Sequence, residues 1–172
     1  MYSYDKLILC MMDHDRGNPN LIQHFLKVHA FARLIGVQEG LDERTLHILE
    51  TAAIVHDIGI LPSLRVYGDD AGRHQEELGP AQAETMLSAL GYDRDVIDRV
   101  CLLVSRHHTY TGILGMDHQI LIEADALVNL FENSASWHDI YYAYQVFFQT
   151  ETGKALMEKL YFHEKTQKEH KP

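Results

Sequence analysis

The chain has 172 residues and a formal net charge of -10, from 15 Lys and Arg against 25 Asp and Glu, and 46% of it is hydrophobic. That length suits one domain with a real core, and the acidic balance excludes a surface that coats a nucleic-acid polymer, which needs a basic excess. Anionic small molecules stay open as substrates, because a bound cation reverses the local sign of the field.

Residues 1–17 read as a short N-terminal segment ending in the turn-like Asp13-His14-Asp15-Arg16-Gly17. Its apolar run, Leu7 to Met12, is too short to span a bilayer and lacks the basic leader and cleavage site of a signal peptide. A cytoplasmic protein with no membrane association is expected. Cys10 and Cys101 have no CxxC partner and read as buried free thiols in a reducing compartment.

Asn18-Pro19 gives a helix start, with Asn as N-cap and Pro at the first helical position. The apolar residues Leu21, Ile22, Phe25, Leu26, Val28, Phe31, Leu34 and Ile35 then keep a helical period, and Gly36 and Gly40 bracket its end. Asp42 caps a second helix, with Leu46, Leu49, Ala52, Ala53 and Val55 on its buried side, closing at Gly59. Leu61 to Leu78 holds Pro62, Gly68 and Gly72 and shows no period, so it reads as a long loop with at most one helical turn. Pro80 begins a third helix, Ala81 to Leu90. Asp93 or Asp95 starts a fourth that runs towards His107-His108. The polar stretch Thr109 to Asp117 precedes a fifth helix, Ile120 to Phe131, and two more fill 139–163. The charged 164–172 is a frayed tail. With no strand alternation and no repeat, the expected architecture is an all-α, single-domain bundle of about six to eight helices over 18–163.

The chain carries 12 histidines, and some fall at informative places. His24 lies on the first long helix. His56 and Asp57 stand side by side at the end of the second, in Val55-His56-Asp57-Ile58-Gly59. Asp125 interrupts the apolar run Ile122 to Leu127, where a carboxylate is costly unless it is paired or bound to a cation. Four ligand-type side chains from three helices are what a metal site inside a helical bundle needs. His14, His29, His47, His118, His138, His163 and His170 read as ordinary surface or core-edge histidines. The aromatic segment Tyr141 to Phe148 reads as core or as a dimer face, so a homodimer is among the expectations. Gly153-Lys154 lacks the glycine-rich loop that would make it a phosphate-binding P-loop.

In these residues the sequence resembles the HD-domain superfamily of metal-dependent phosphohydrolases, whose signature is a His, then His-Asp, then a distant Asp. Here that is His24 in His24-Phe25-Leu26-Lys27-Val28, then His56-Asp57-Ile58-Gly59, then Asp125 in Glu123-Ala124-Asp125. The resemblance covers 20–131. It implies His24, His56, Asp57 and Asp125 as ligands of a first divalent cation (Mn, Fe, Ni, Co, Mg or Zn). In two-metal branches Asp57 would bridge to a second ion held by added histidines, for which His74, His107 and His108 are available. The implied activity is hydrolysis of a small phosphate ester, with a nucleotide as one option, by attack of metal-bound hydroxide. Asp57 would then hold the nucleophile in line, and His107 or His108, if not a ligand, would protonate the leaving oxygen. Lys27, Arg65, Arg73 and Arg106 are phosphate-binding candidates by position. Two departures stand out. Many relatives carry a Lys soon after His-Asp-Ile-Gly, where this chain has Ile60-Leu61-Pro62-Ser63, and the GYP motif of the cyclic-dinucleotide branch is absent. A non-catalytic metal-containing nucleotide sensor and a di-iron oxygenase are the alternative readings.

Overall fold

The computed structural model describes residues 4–162, which form nine helices and no strand. They are α1 (Asp5–His14), α2 (Pro19–Gln38), α3 (Glu43–Val55), α4 (Ile60–Val66), α5 (Gly72–Ala89), α6 (Arg94–Val104), α7 (Met116–Glu132), α8 (Trp137–Val146) and α9 (Glu151–Tyr161). The all-α expectation holds.

The bundle is organised by α2, α3 and α7. In α7, 11 of the 17 residues are buried, polar ones such as Glu123 and Asp125 among them, so this helix lies at the centre of the bundle. Leu49, Ile54 and Val55 of α3 and Ile120, Leu121 and Leu127 of α7 are core residues, each stabilising the fold by about 1.5–3 kcal/mol on burial. The α5–α6 hairpin leans on α3 through Val100, Leu103 and Val104. Asp42 caps α3 as expected, accepting from the backbone N–H groups of Arg44 and Thr45. Asn18 holds the N-cap position of α2 but makes no side-chain cap bond there.

Several expectations are corrected. Residues 5–14 are helical: Leu7 and Met11, four apart, share one face and reach the core. Gly36 and Gly40 do bracket the end of α2 at Gln38, and Gly36 packs closely, since a Cβ there would stand 2.8 Å from Leu46 Cδ1 and 3.0 Å from Leu49 Cδ2. Gly40 follows the C-cap Glu39, and its φ of +75° suits glycine. The stretch 61–78 is no long loop. It holds α4 and the first turns of α5, with Pro80 in the interior of α5. A proline there removes one backbone hydrogen bond, which an apolar-period reading mistakes for a helix start. Cys10 and Cys101 are unpaired but half-buried. Of the histidines read as surface or core-edge, His47 and His118 are buried. His118 is held by the Arg106 carbonyl at 3.0 Å and by the Leu114 N–H at 3.2 Å. His163, His170 and the 164–172 tail lie outside the described residues. Among the described residues no helix is long and apolar enough to cross a membrane.

Candidate metal centre

Three helix segments deliver one cluster. His24 faces inward from α2, one turn before the buried Val28. The turn after α3 carries His56 and Asp57. Asp125 points from the middle of α7. His24 Nε2 lies 3.2 Å from His56 Nε2 and 3.1 Å from Asp125 Oδ1. Asp57 Oδ2 is 3.3 Å from each of those two imidazole nitrogens, and His56 Nε2 is 3.6 Å from Asp125 Oδ1.

The other oxygen of Asp57 faces a second group. His107 Nε2 stands 3.4 Å from Asp57 Oδ1, and His108 lies alongside with ring centroids 4.0 Å apart. Ligand atoms of Asp57, His107 and His108 fall within 4.8 Å of one another, as do those of His24, His56 and Asp57. Asp57 therefore belongs to both groups.

Local structure fixes which nitrogen each ring presents. His56 Nδ1–H donates to the Ala53 carbonyl at 2.9 Å, and His107 Nδ1–H to the Val104 carbonyl at 2.7 Å. His24 Nδ1–H donates to Glu132 Oε2 at 2.8 Å, the carboxylate–histidine pairing that orients metal-ligating imidazoles. A carbonyl or carboxylate oxygen can only accept, so in each neutral ring Nε2 carries the lone pair. Three such nitrogens converge on the oxygens of Asp57 and Asp125. His107 Nε2 is buried without a hydrogen-bond partner. Asn129, whose Nδ2 donates to Asp125 Oδ1 at 2.8 Å, is the amide donor at the cluster. So many acceptors within contact distance repel unless protons or a cation lie between them. Imidazole nitrogen plus carboxylate oxygen is a donor set that suits divalent cations, and the residues fit one.

The electrostatics agree. Burial alone would lower the His56 pKa, but the Asp57 and Asp125 carboxylates overcome it and hold the ring well above the usual histidine value. His24 is raised in the same way, with Asp125 and Asp57 opposing burial. Burial would raise Asp57 and Asp125, yet the neighbouring imidazoles hold both below the usual carboxylate range. At His108 burial and the His107 ring outweigh Asp57 and Asp125 and push it down to about 4.

The HD domain family model matches residues 21–130, which contain every residue of this cluster. The chain belongs to the HD domain family. It is similar to the crystal structure of a predicted HD superfamily hydrolase from an uncultured Thermotogales bacterium, with 26% sequence identity and a TM-score of 0.63. That match covers 92% of this chain and 85% of the other. No curated protein matches significantly. Family model and neighbour agree on the HD superfamily.

Within this HD domain the structure brings His24, His56, Asp57, Asp125, His107 and His108 together. It does not bring His74. That ring stacks on Tyr67 with centroids 3.9 Å apart, and its Nδ1 is 2.6 Å from Asp69 Oδ1. Because α5 is already helical at this point, the inward position passes to the next residue. Gln75 is buried, with its Oε1 3.3 Å from His108 Nε2 and its Nε2 donating to the Asp70 carbonyl. Gly59 is what allows that approach, since a Cβ there would stand 2.6 Å from the Gln75 carbonyl oxygen.

Of the cationic candidates, Arg65 and Arg73 are exposed, and Arg73 donates to His74. Arg106 reaches the Thr111 carbonyl at 3.3 Å. Lys27 is tied to the cluster at one remove: it pairs with Glu132, the carboxylate that also holds His24. Sequence reasoning missed Gln75, Asn129 and Glu132. For the last two a signal existed. Asp125, Asn129 and Glu132 are spaced i, i+4 and i+7, a polar stripe on an otherwise apolar helix.

Proposed function

We propose that this HD domain is a metal-dependent phosphohydrolase that cleaves small phosphate esters. One observation carries the reading: buried imidazole and carboxylate acceptors converge with too few donors to satisfy them. In this reading His24, His56, Asp57 and Asp125 hold a first divalent cation. Asp57, with one oxygen towards each group, would also serve a second cation together with His107 and His108. Cations in such sites lower the pKa of bound water and offset charge building on a phosphoryl group. The chain's own residues do the rest. Glu132 fixes the tautomer and angle of His24, and the Ala53 and Val104 carbonyls do so for His56 and His107. Lys27, a compact point charge at the edge, orients the phosphate.

The test is metal analysis of the purified protein, then phosphate release from a panel of nucleotides and sugar phosphates with added Mn²⁺, Mg²⁺, Co²⁺ or Ni²⁺. Turnover that disappears in Asp57→Ala while the circular-dichroism spectrum is kept supports the hydrolase. Metal-replete protein that binds nucleotides tightly without turnover would replace it with a sensor.

A further inference from the structure

Beside Asp125 the cluster opens into a cavity of about 320 Å³ between α7, α8 and the loop before α7. That is within the size range of small-molecule pockets. Asp125, Asn129 and Asn133 all line it. Spaced i, i+4 and i+8, they form one ladder leading outward from the cluster. The opposite wall is aromatic: the rings of Tyr110 and Phe147 lie 4.5 Å apart, tilted by 31°. Leu130 and three alanines complete the lining.

The charges are as informative as the shape. No Lys or Arg lines the cavity, and the carboxylate of Asp139 does. A second phosphate or a polyphosphate chain would meet carboxylate and apolar surface with no cation to receive it. A sugar ring alone would leave most of its hydroxyls facing methyl groups and ring faces. A flat, uncharged heterocycle fits both features. Its face can stack on Tyr110 and Phe147, and its edge can meet amides that have capacity to spare. Asn129 spends its Nδ2 on Asp125 and keeps its carbonyl oxygen. The Asn133 side chain makes no hydrogen bond among the described residues, so it offers both a donor and an acceptor.

We infer that this cavity receives the leaving group of the ester and that the substrate class is nucleoside monophosphates. The inference rests on the hydrolase reading for the place of the phosphate, and it adds where the rest of the molecule sits and what it must be. The experiment compares kcat/KM for nucleoside monophosphates, nucleoside triphosphates, sugar monophosphates and glycerol phosphate with Mn²⁺ present. Separately, saturation-transfer NMR detects binding of unphosphorylated nucleosides to the protein without metal.

Nucleoside monophosphates should be the best esters. In Phe147→Ala, the ratio of kcat/KM for a nucleoside monophosphate to that for glycerol phosphate should fall by about ten- to a hundredfold, the equivalent of one lost base-stacking contact. The fall should reside in KM, and Phe147→Tyr should restore it. Asn133→Ala, at an exposed position with little bearing on folding, should change the ranking among the bases. Preference for sugar phosphates or triphosphates, or an unchanged ratio in Phe147→Ala, overturns the inference. If no ester releases phosphate, the hydrolase reading fails and the cavity is judged by NMR alone. Nucleoside signals that vanish in Phe147→Ala support it, and their absence in the unmodified protein overturns it.

Discussion

Glu123 and Asp125 stand two residues apart on α7, both buried, in opposite circumstances. Glu123 Oε1 accepts from Gln119 Nε2 at 2.8 Å and from the Gln149 and Thr150 backbone N–H groups at 2.7 and 2.9 Å. Its Oε2 accepts from the Thr150 hydroxyl. This carboxylate is fully served by the start of α9 and pins that helix to α7. Asp125 has one amide donor, Asn129, and otherwise faces imidazole nitrogens and a second carboxylate. Burial alone therefore does not mark a functional carboxylate. The donor count around it does: a satisfied group is a strut, and an unsatisfied cluster is a site held ready for something else.

That contrast can be broken from either side. The largest effect is expected at the unsatisfied end. Asp125→Asn removes a charge and adds a donor, so turnover should drop by at least about a hundredfold and bound metal should fall, while the metal-free protein keeps its fold. Comparable loss of fold and metal would make Asp125 another strut. At the satisfied end, Glu123→Leu strands several buried donors and should destabilise by about 3–5 kcal/mol, read as a lower urea midpoint at constant m. Metal bound per folded molecule should be unchanged.

Glu132→Gln sharpens the picture by weakening the support of His24 without touching a proposed ligand. Calorimetric metal titration should show affinity reduced by about 10–100-fold, and an unaltered affinity would detach Glu132 from the site. A smaller effect is expected at Gly153. A Cβ there would stand 2.0 Å from Glu123 Oε2 and 2.7 Å from Thr150 Oγ1, so Gly153→Ala should destabilise by about 1–3 kcal/mol with metal affinity kept.

The mildest prediction concerns pH. In the metal-free protein His24 and His56 titrate above the usual histidine value. Their contribution to stability is thus complete below the unfolded value of about 6.5 and is lost as pH rises through the folded values. A cation displaces the same protons, so its affinity rises with pH. Melting temperatures with chelator should decline above about pH 6.5, while the extra stabilisation from saturating cation grows. Parallel curves with and without cation would disconnect these imidazoles from metal binding. Asp57 and Asp125, depressed in the folded state, stabilise above the unfolded carboxylate value of about 3.9 and cease to as acid takes the pH through their folded values.

Much of this was legible in the sequence, and the failures have physical causes. Helical periodicity gave α2, α3, α6 and α7 because each buries one continuous stripe. The order His24, His56-Asp57, Asp125 located the cluster because all four lie on or beside those helices. The reading failed where the apolar stripe is interrupted. Pro80 hid the first turns of α5, so His74 rather than Gln75 looked like the inward residue. The short α1 buries little beyond Leu7 and Met11, too weak a pattern to register. Supporting groups such as Glu132 are polar residues with ordinary surface composition: the stripe Asp125, Asn129, Glu132 marks them, and proximity to His24 gives them their role. Glu123 was silent for the same reason, since its donors come from the start of α9.

Finally, α3 and α6 both end at this centre: His56 is the C-cap of α3, and His107 lies two residues beyond Ser105, the C-cap of α6. A helix C-terminus carries the equivalent of about half a negative elementary charge. Two such ends therefore add to the carboxylates already there, and once His24 and His56 have lost their protons the bare centre presents a negative field to any arriving anion. In the proposed hydrolase an ester phosphate would be repelled until a cation reverses that field, so binding would be ordered, cation first and ester second. The ester's affinity would then become a property of cation occupancy, and the protein stripped of metal should not bind phosphate at a pH where both imidazoles are neutral.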